Sequence, residues 1–154
     1  WTHMFIMPLV DLYATACHWL VNDYPIHLGL KWFLIASFFN GVVIEIGRKL
    51  RRPEDEEEGV RTYTVVWGVK RAPWVWIAML AATTITASLA AIEIGFVVPV
   101  VCVLGSLLAA AIFFAARFTR HVGKHSGKIF ENFAGAWTIA LYLILGLIPY
   151  FLAA

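Results

Sequence analysis

Charge is what this sequence has least of. Only 14% of its 154 residues are charged, 61% are hydrophobic, and the mean hydropathy is +0.77. That balance excludes an ordinary soluble domain and describes a membrane protein. A net charge of +2 and a pI of about 8.7 would point a soluble chain toward an acidic partner. Here the charges sit in a few short segments, so their distribution matters more than their sum, and no nucleic-acid partner is expected. Cysteine is almost as scarce. Cys17 and Cys102 lie in apolar stretches without metal-ligand spacing, and they read as buried hydrophobes rather than as a disulfide or ligands. The chain starts at Trp1 without an initiator Met or a basic leader with a cleavage site, and so reads as part of something longer.

What is there is a series of apolar runs. Residues 1 to 20, interrupted by Asp11, suffice for a spanning helix, because a hydrocarbon core of about 30 Å needs roughly 20 helical residues. Asn22, Asp23, Pro25 and His27 make 21 to 28 a connection. A second span runs from 29 to 50, with Lys31 and Trp32 at its interfacial start. Pro53 disfavours the helical conformation at Arg52 and ends that span. Pro53 to Glu58 then suits a one-turn helix with acids at its amino terminus, which Gly59 can end. Residues 62 to 68 lead on to spans at 72 to 91, 95 to 116 and 132 to 153, with breaks at Gly95 and the polar run 117 to 131. The expectation is an all-α, polytopic transmembrane bundle of five spanning helices, a single domain with a charged segment at 48 to 71.

Basic residues give the orientation. Eleven of the twelve Lys and Arg fall after the second and fourth spans, and the opposite connections hold Asp23 and Glu93 but no cation. The positive-inside rule therefore places 48 to 71 and 117 to 131 in the cytoplasm. Trp67, Trp74 and Trp76 flank that face as an interfacial aromatic belt would.

Half of all the acids are consecutive, Glu54, Asp55, Glu56, Glu57 and Glu58, and Arg48, Lys49, Arg51, Arg52 and Arg61 surround them. Such a density of carboxylate calls for a cation, and the pattern suits a metal and an anion held together. Magnesium prefers oxygen ligands and needs only one or two carboxylates when substrate phosphates complete its shell. Arginine offers phosphate a bidentate fork, and helical spacing puts Glu45, Arg48 and Arg52 on one polar stripe. The bland alternative is a solvated acidic turn pairing with its own basic neighbours, since such surface pairs are common and weak. Asp11, Asn40 and Glu45 lie within apolar spans, where polar groups are costly and face a cavity, a partner or a packing contact. Arg117, Arg120, Lys124 and Lys128 could line a phosphate mouth or bind anionic membrane lipid. His121 and His125 are four residues apart, yet Gly123 and Gly127 argue against a rigid ligand pair there. The run 123 to 128 lacks the glycine spacing of a P-loop.

The pattern Arg51-x-x-x-Asp55-x-x-x-Gly59-x-x-Thr62, followed by Gly68 and set between two membrane helices, resembles the second aspartate-rich motif of the UbiA-type intramembrane prenyltransferases. More loosely, the likeness runs from Met7-Pro8-Leu9-Val10-Asp11 to the last helix and covers the chain as the carboxy-terminal half of such an enzyme. The resemblance implies a helical bundle around a cavity that opens to the cytoplasmic face. There two aspartate-rich motifs hold magnesium on a polyprenyl diphosphate, and the prenyl group passes to an aromatic or other lipid-soluble acceptor. By this likeness Asp55, with Glu54 and Glu58, binds magnesium. Arg48 and Arg52 act on the diphosphate, and Arg51, Lys49, Asn40, Glu45, Asp11, Lys124 and Lys128 line the substrate site. Arg51 stands where the family usually has aspartate, and residues 1 to 40 contain no first motif. The implied complement is a set of amino-terminal helices or a partner chain. A different class of function, a non-catalytic membrane subunit used for packing or for binding lipid or pigment, fits the same helices.

Overall fold

The structure, a computed structural model, describes residues 2–51, 62–120 and 126–153. Among these there are helices and no strand. A short 3-10 turn, Thr2–Phe5, leads into α1 (Ile6–Val21). Then follow α2 (Gly29–Arg48), the short α3 (Tyr63–Trp67), α4 (Ala72–Glu93), α5 (Val97–Arg120) and α6 (Ser126–Tyr142). The last of these continues through a π-helical turn, Leu143–Leu147, into α7 (Ile148–Ala153). Four segments, Gly29–Arg48, Ala72–Glu93, Val97–Arg120 and Gly127–Leu152, are long and apolar enough to cross a bilayer. The chain is a multi-pass integral membrane protein.

The expected fifth span is shorter than the others. The 16 residues of α1 extend only about 24 Å at 1.5 Å per residue, less than the roughly 30 Å of hydrocarbon. Composition made 1 to 20 look like one continuous run, but the first turn is 3-10. The last span differs in the other direction. Polar residues 126 to 131 belong to its helix rather than to a connection, because a helix continues past the hydrocarbon boundary when long basic side chains can reach water. Its π turn has a local cause. Pro149 has no N–H for the carbonyl four residues before it, so the backbone widens to i→i+5 bonding just upstream.

The helix breaks follow backbone chemistry. Gly95 adopts a positive φ of 67°, and the turn is closed by Phe96 N–H to Ala91 O at 2.8 Å and Gly95 N–H to Ile92 O at 3.1 Å. This is the double bond pattern of a Schellman cap. Gly68, at φ 83°, ends α3, and Pro73 occupies the first turn of α4, where its missing N–H is no loss.

At the centre lies α2, packed against α1, α4 and α6. Its buried face carries Ala36, Ser37, Asn40, Gly41, Val43 and Gly47, small groups that let helix backbones approach without a hydrophobic driving force from lipid. A Cβ at Gly47 would lie 2.9 Å from the Ala134 Cβ and 3.1 Å from the Phe130 carbonyl oxygen. Beside it the Trp76 indole N–H donates to the Val43 carbonyl at 3.1 Å. Trp76 is thus fully buried, a core anchor rather than part of an interfacial belt, whereas Trp74 is exposed. The Trp76 ring meets Phe130 edge-on at 5.1 Å, and Phe130 meets Phe118 at 5.0 Å, joining α4, α5 and α6 at one end of the bundle. On α5 the buried residues Val100, Leu104, Ala111, Ala115 and Phe118 form one helical stripe, and exposed apolar residues such as Val98, Val101, Ile112 and Phe113 face lipid on the other side. Cys17 and Cys102 lie on such exposed surface as free thiols, not in the core as expected. Their weakly polar sulfur is at home against lipid as well as against protein.

Gly47→Val should be strongly destabilising, since a branched side chain must separate α2 from α6 at a backbone contact that has no flexible atom to yield. A loss of about 2 to 3 kcal/mol is expected, at the upper end of overpacking costs. Unfolding in mixed micelles measures it, and an unchanged midpoint would contradict the close approach.

Candidate functional site

Two polar clusters lie along α2. The deeper one is built by α1, α2 and α6. The Tyr142 hydroxyl donates to Asp11 Oδ2 at 2.8 Å and lies 3.3 Å from the Ser37 hydroxyl. One turn further along α2, the Thr138 hydroxyl approaches Asn40 Oδ1 at 3.2 Å and the Ala134 carbonyl at 2.8 Å. Asp11 and Asn40 therefore face the interior and hold helices together, which removes most of the cost of a polar group at membrane depth. Asn40 is wholly buried, and its Nδ2, like the Trp137 Nε1, has no hydrogen-bond partner among the described residues.

The second cluster sits where α2 ends. Glu45 is only 7% exposed and forms an ion pair with Lys49 one turn on. Arg48, three residues after Glu45, is exposed. Lys49, which the sequence did not single out as a partner of Glu45, joins it through this i,i+4 pair, on the face turned toward Tyr63. The Lys49 ammonium stands 6.0 Å from the Tyr63 ring centre, and Tyr63 stacks on Trp67 at 4.5 Å. Burial, then the Glu45 charge, push the Tyr63 hydroxyl above its ordinary pKa, against the opposing pull of Lys49. The phenol is neutral here.

Backbone bonds draw the flanks of the acidic segment together. The Tyr63 N–H donates to the Lys49 carbonyl at 3.2 Å, and the Thr64 hydroxyl donates to the Arg51 carbonyl while contacting the Thr62 hydroxyl at 2.8 Å. The start of α6 closes against the same place. A Cβ at Gly127 would meet the Leu50 carbonyl oxygen at 3.0 Å and Arg51 Cγ at 3.2 Å, and the next residue, Lys128, is exposed. Arg48, Lys49, Arg51 and Lys128 are therefore gathered at one end of the bundle. Asp55, Glu54, Glu58, Arg52 and Lys124, with the expected Pro53 to Glu58 turn and the pair His121 and His125, lie outside the described residues. Among the described residues no group of three His, Cys, Asp or Glu could hold a metal ion.

The opposite end contains a cavity of about 770 Å³, bounded by the close of α1, the α1–α2 connection, the start of α2, the close of α4 and Leu145 of the π turn. From Leu30 to Lys49 along α2 is about 28 Å at 1.5 Å per residue, so this cavity is remote from the charged end. It was not apparent from the sequence, because Pro25 and His27 read only as part of a connection. The signal that could have found it is the density of ring side chains between His18 and Phe33.

A comparison with family models, curated proteins and solved structures finds no match for this chain.

Proposed function

We propose that the chain is the carboxy-terminal half of a membrane-embedded, magnesium-dependent prenyltransferase that moves an isoprenyl group from a polyprenyl diphosphate to an aromatic or other lipid-soluble acceptor. The observation that carries the reading is the tied base of the acidic segment. Tyr63 and Thr64 bond to the carbonyls of Lys49 and Arg51, so the two described flanks of the acidic segment are held together at the same bundle end as Arg48, Lys49, Arg51 and Lys128. Carboxylate oxygens are the donors magnesium prefers, and Asp55, with Glu54 and Glu58, would hold it. When bound, the metal neutralises negative charge on the diphosphate. Arg48, Arg51 and Arg52 grip phosphate oxygens and stabilise the charge that grows on them as the carbon–oxygen bond breaks. The electron pair leaves with the diphosphate, and the acceptor forms the new bond to the isoprenyl carbon and gives up a proton. Glu45, neutralised by Lys49, lets that lysine stand at the membrane boundary without an unpaired buried charge.

In this reading residues 48 to 71 and 117 to 131 are cytoplasmic, and the carboxy terminus is on the other side. The supporting fact is that, among the described residues, the close of α2 and the start of α6 meet at one end of the bundle, where Gly127 lies against Leu50 and Arg51. In a background lacking Cys17 and Cys102, Glu93→Cys should react with an impermeant thiol reagent added outside, and Ser126→Cys should not. The reverse pattern would overturn the orientation.

Prenyl transfer itself is tested in the complete protein with magnesium, isoprenyl diphosphates and a panel of aromatic acceptors. The expected result is product that disappears when the metal is chelated.

A further inference from the structure

The side of α5 that faces lipid ends in charge. The buried residues of this helix, Val100, Leu104, Ala111, Ala115 and Phe118, share one side. With about 100° between successive residues, Ala109, Phe113, Arg117 and Arg120 fall on the opposite side, and all four are exposed. Phe113, Arg117 and Arg120 follow at i, i+4 and i+7, so the two guanidiniums cap an apolar stripe rather than point into the bundle. Depth follows from length. The tight turn at Gly95 starts α5 at one membrane boundary, and the helix reaches Arg117 about 30 Å from Val97 at 1.5 Å per residue. That matches the hydrocarbon thickness of about 30 Å, which sets Arg117 at the far boundary, Arg120 among the headgroups and Phe113 about one turn inside. No acid lies between Glu58 and Glu93 or between Glu93 and Glu131 in the sequence, and among the described residues neither arginine has an ion-pair partner. The neighbouring charges have the same sign. Lys70 and Arg71 are exposed just before α4, and the ring contacts from Trp76 through Phe130 to Phe118 hold that end of α4 against the close of α5.

We propose that this end of α5 binds an anionic phospholipid, with Arg117 and Arg120 on its phosphate and an acyl chain along Phe113 and Ala109. Arginine offers phosphate a planar fork of donors, and charge-assisted bonds of that kind are the stronger ones. Phosphate alone would leave the apolar stripe unused. A zwitterionic lipid has no net charge to offset the four cations Lys70, Arg71, Arg117 and Arg120, whereas an anionic headgroup does. A second copy of the chain set on the same stripe would place arginine against arginine, and like charges across an interface oppose it. By sequence these arginines suited a phosphate mouth or lipid, and their outward position favours lipid. The inference does not depend on the transferase reading, and a protein without transferase activity would still bind the lipid.

The test places a fluorophore on Ala109→Cys in the complete protein lacking Cys17 and Cys102. Its quenching is read in phosphatidylcholine nanodiscs to which phosphatidylglycerol or phosphatidylcholine with a nitroxide on the acyl chain is added. Ala109 lies on the stripe and is exposed, so the label displaces no packed neighbour. Saturable quenching that favours the anionic lipid is expected. The apparent affinity for phosphatidylglycerol should fall about five-fold in Arg117→Gln and again in Arg120→Gln, the usual effect of one cation at an anionic lipid surface. Lys31→Gln, exposed at the other end of the bundle, should leave it unchanged. Each arginine variant tests the site by itself, so one that fails to fold leaves the other to decide. Equal quenching by the two lipids in the wild type, or an affinity for phosphatidylglycerol unchanged in the arginine variants, would overturn the proposal. Displacement by inorganic phosphate as effective as displacement by unlabelled phosphatidylglycerol would also overturn it, by showing that the site takes phosphate without a lipid chain.

Discussion

Asp55→Asn in the complete protein is expected to lower magnesium-dependent prenyl transfer by about two to three orders of magnitude, the usual loss when one preorganised stabiliser of developing charge is removed. The substitution keeps the size and hydrogen-bonding capacity of the side chain and removes only its charge, so a large effect reports on the cation. Neighbouring acids are not equivalent. Asp55 stands four residues before Gly59 and thirteen before Gly68, the spacing that resembles the prenyltransferase motif, and Glu56→Gln and Glu57→Gln should be milder. Raising the magnesium concentration should recover part of the lost rate if affinity for the metal is what fell. A variant with normal magnesium-dependent turnover would remove Asp55 from the site.

Residues 1 to 154 alone, reconstituted in lipid with magnesium, isoprenyl diphosphates and acceptors, should transfer nothing. A diphosphate carries several negative charges, and drawing it beside five consecutive carboxylates is unfavourable unless metal ions bridge the two. The described part of the charged end contributes Glu45, paired with Lys49, and the exposed Glu131 near the start of α6. In the proposed reading one acidic segment is half of a clamp, and the family it resembles supplies the other half from its first aspartate-rich motif. Activity should appear when helices carrying such a motif are supplied, in the same polypeptide or by a partner chain. Transfer by residues 1 to 154 alone would show that Arg51 and the single segment hold diphosphate in another way.

The sequence made the helical class plain, because runs of about 20 apolar residues have few other fates. It also located the break at Gly95, since glycine just past an apolar helix marks a positive φ. Boundaries defined by polarity were less legible. The polar run 117 to 131 looked like a connection, yet Arg117, Arg120 and Lys128 lie on α5 and α6, whose backbones are indifferent to where the hydrocarbon stops. At the site, Asp11, Asn40 and Glu45 could be singled out because a polar group inside an apolar span needs a partner. Their partners could not be read. Tyr142 reaches Asp11 across 131 residues and Thr138 reaches Asn40 across 98, distances over which no periodicity carries information. The remote cavity depended on how α1, α2 and α4 converge, and composition alone showed only its rings.

The most direct measurement of the central claim is calorimetric binding of farnesyl diphosphate to the complete protein, with and without magnesium, for the wild type and Asp55→Asn. If the charged segment holds metal and diphosphate together, the wild type binds only when magnesium is present and Asp55→Asn loses most of that dependence. Equal binding by both proteins in the absence of magnesium would contradict it and leave the carboxylates without a role in holding the substrate.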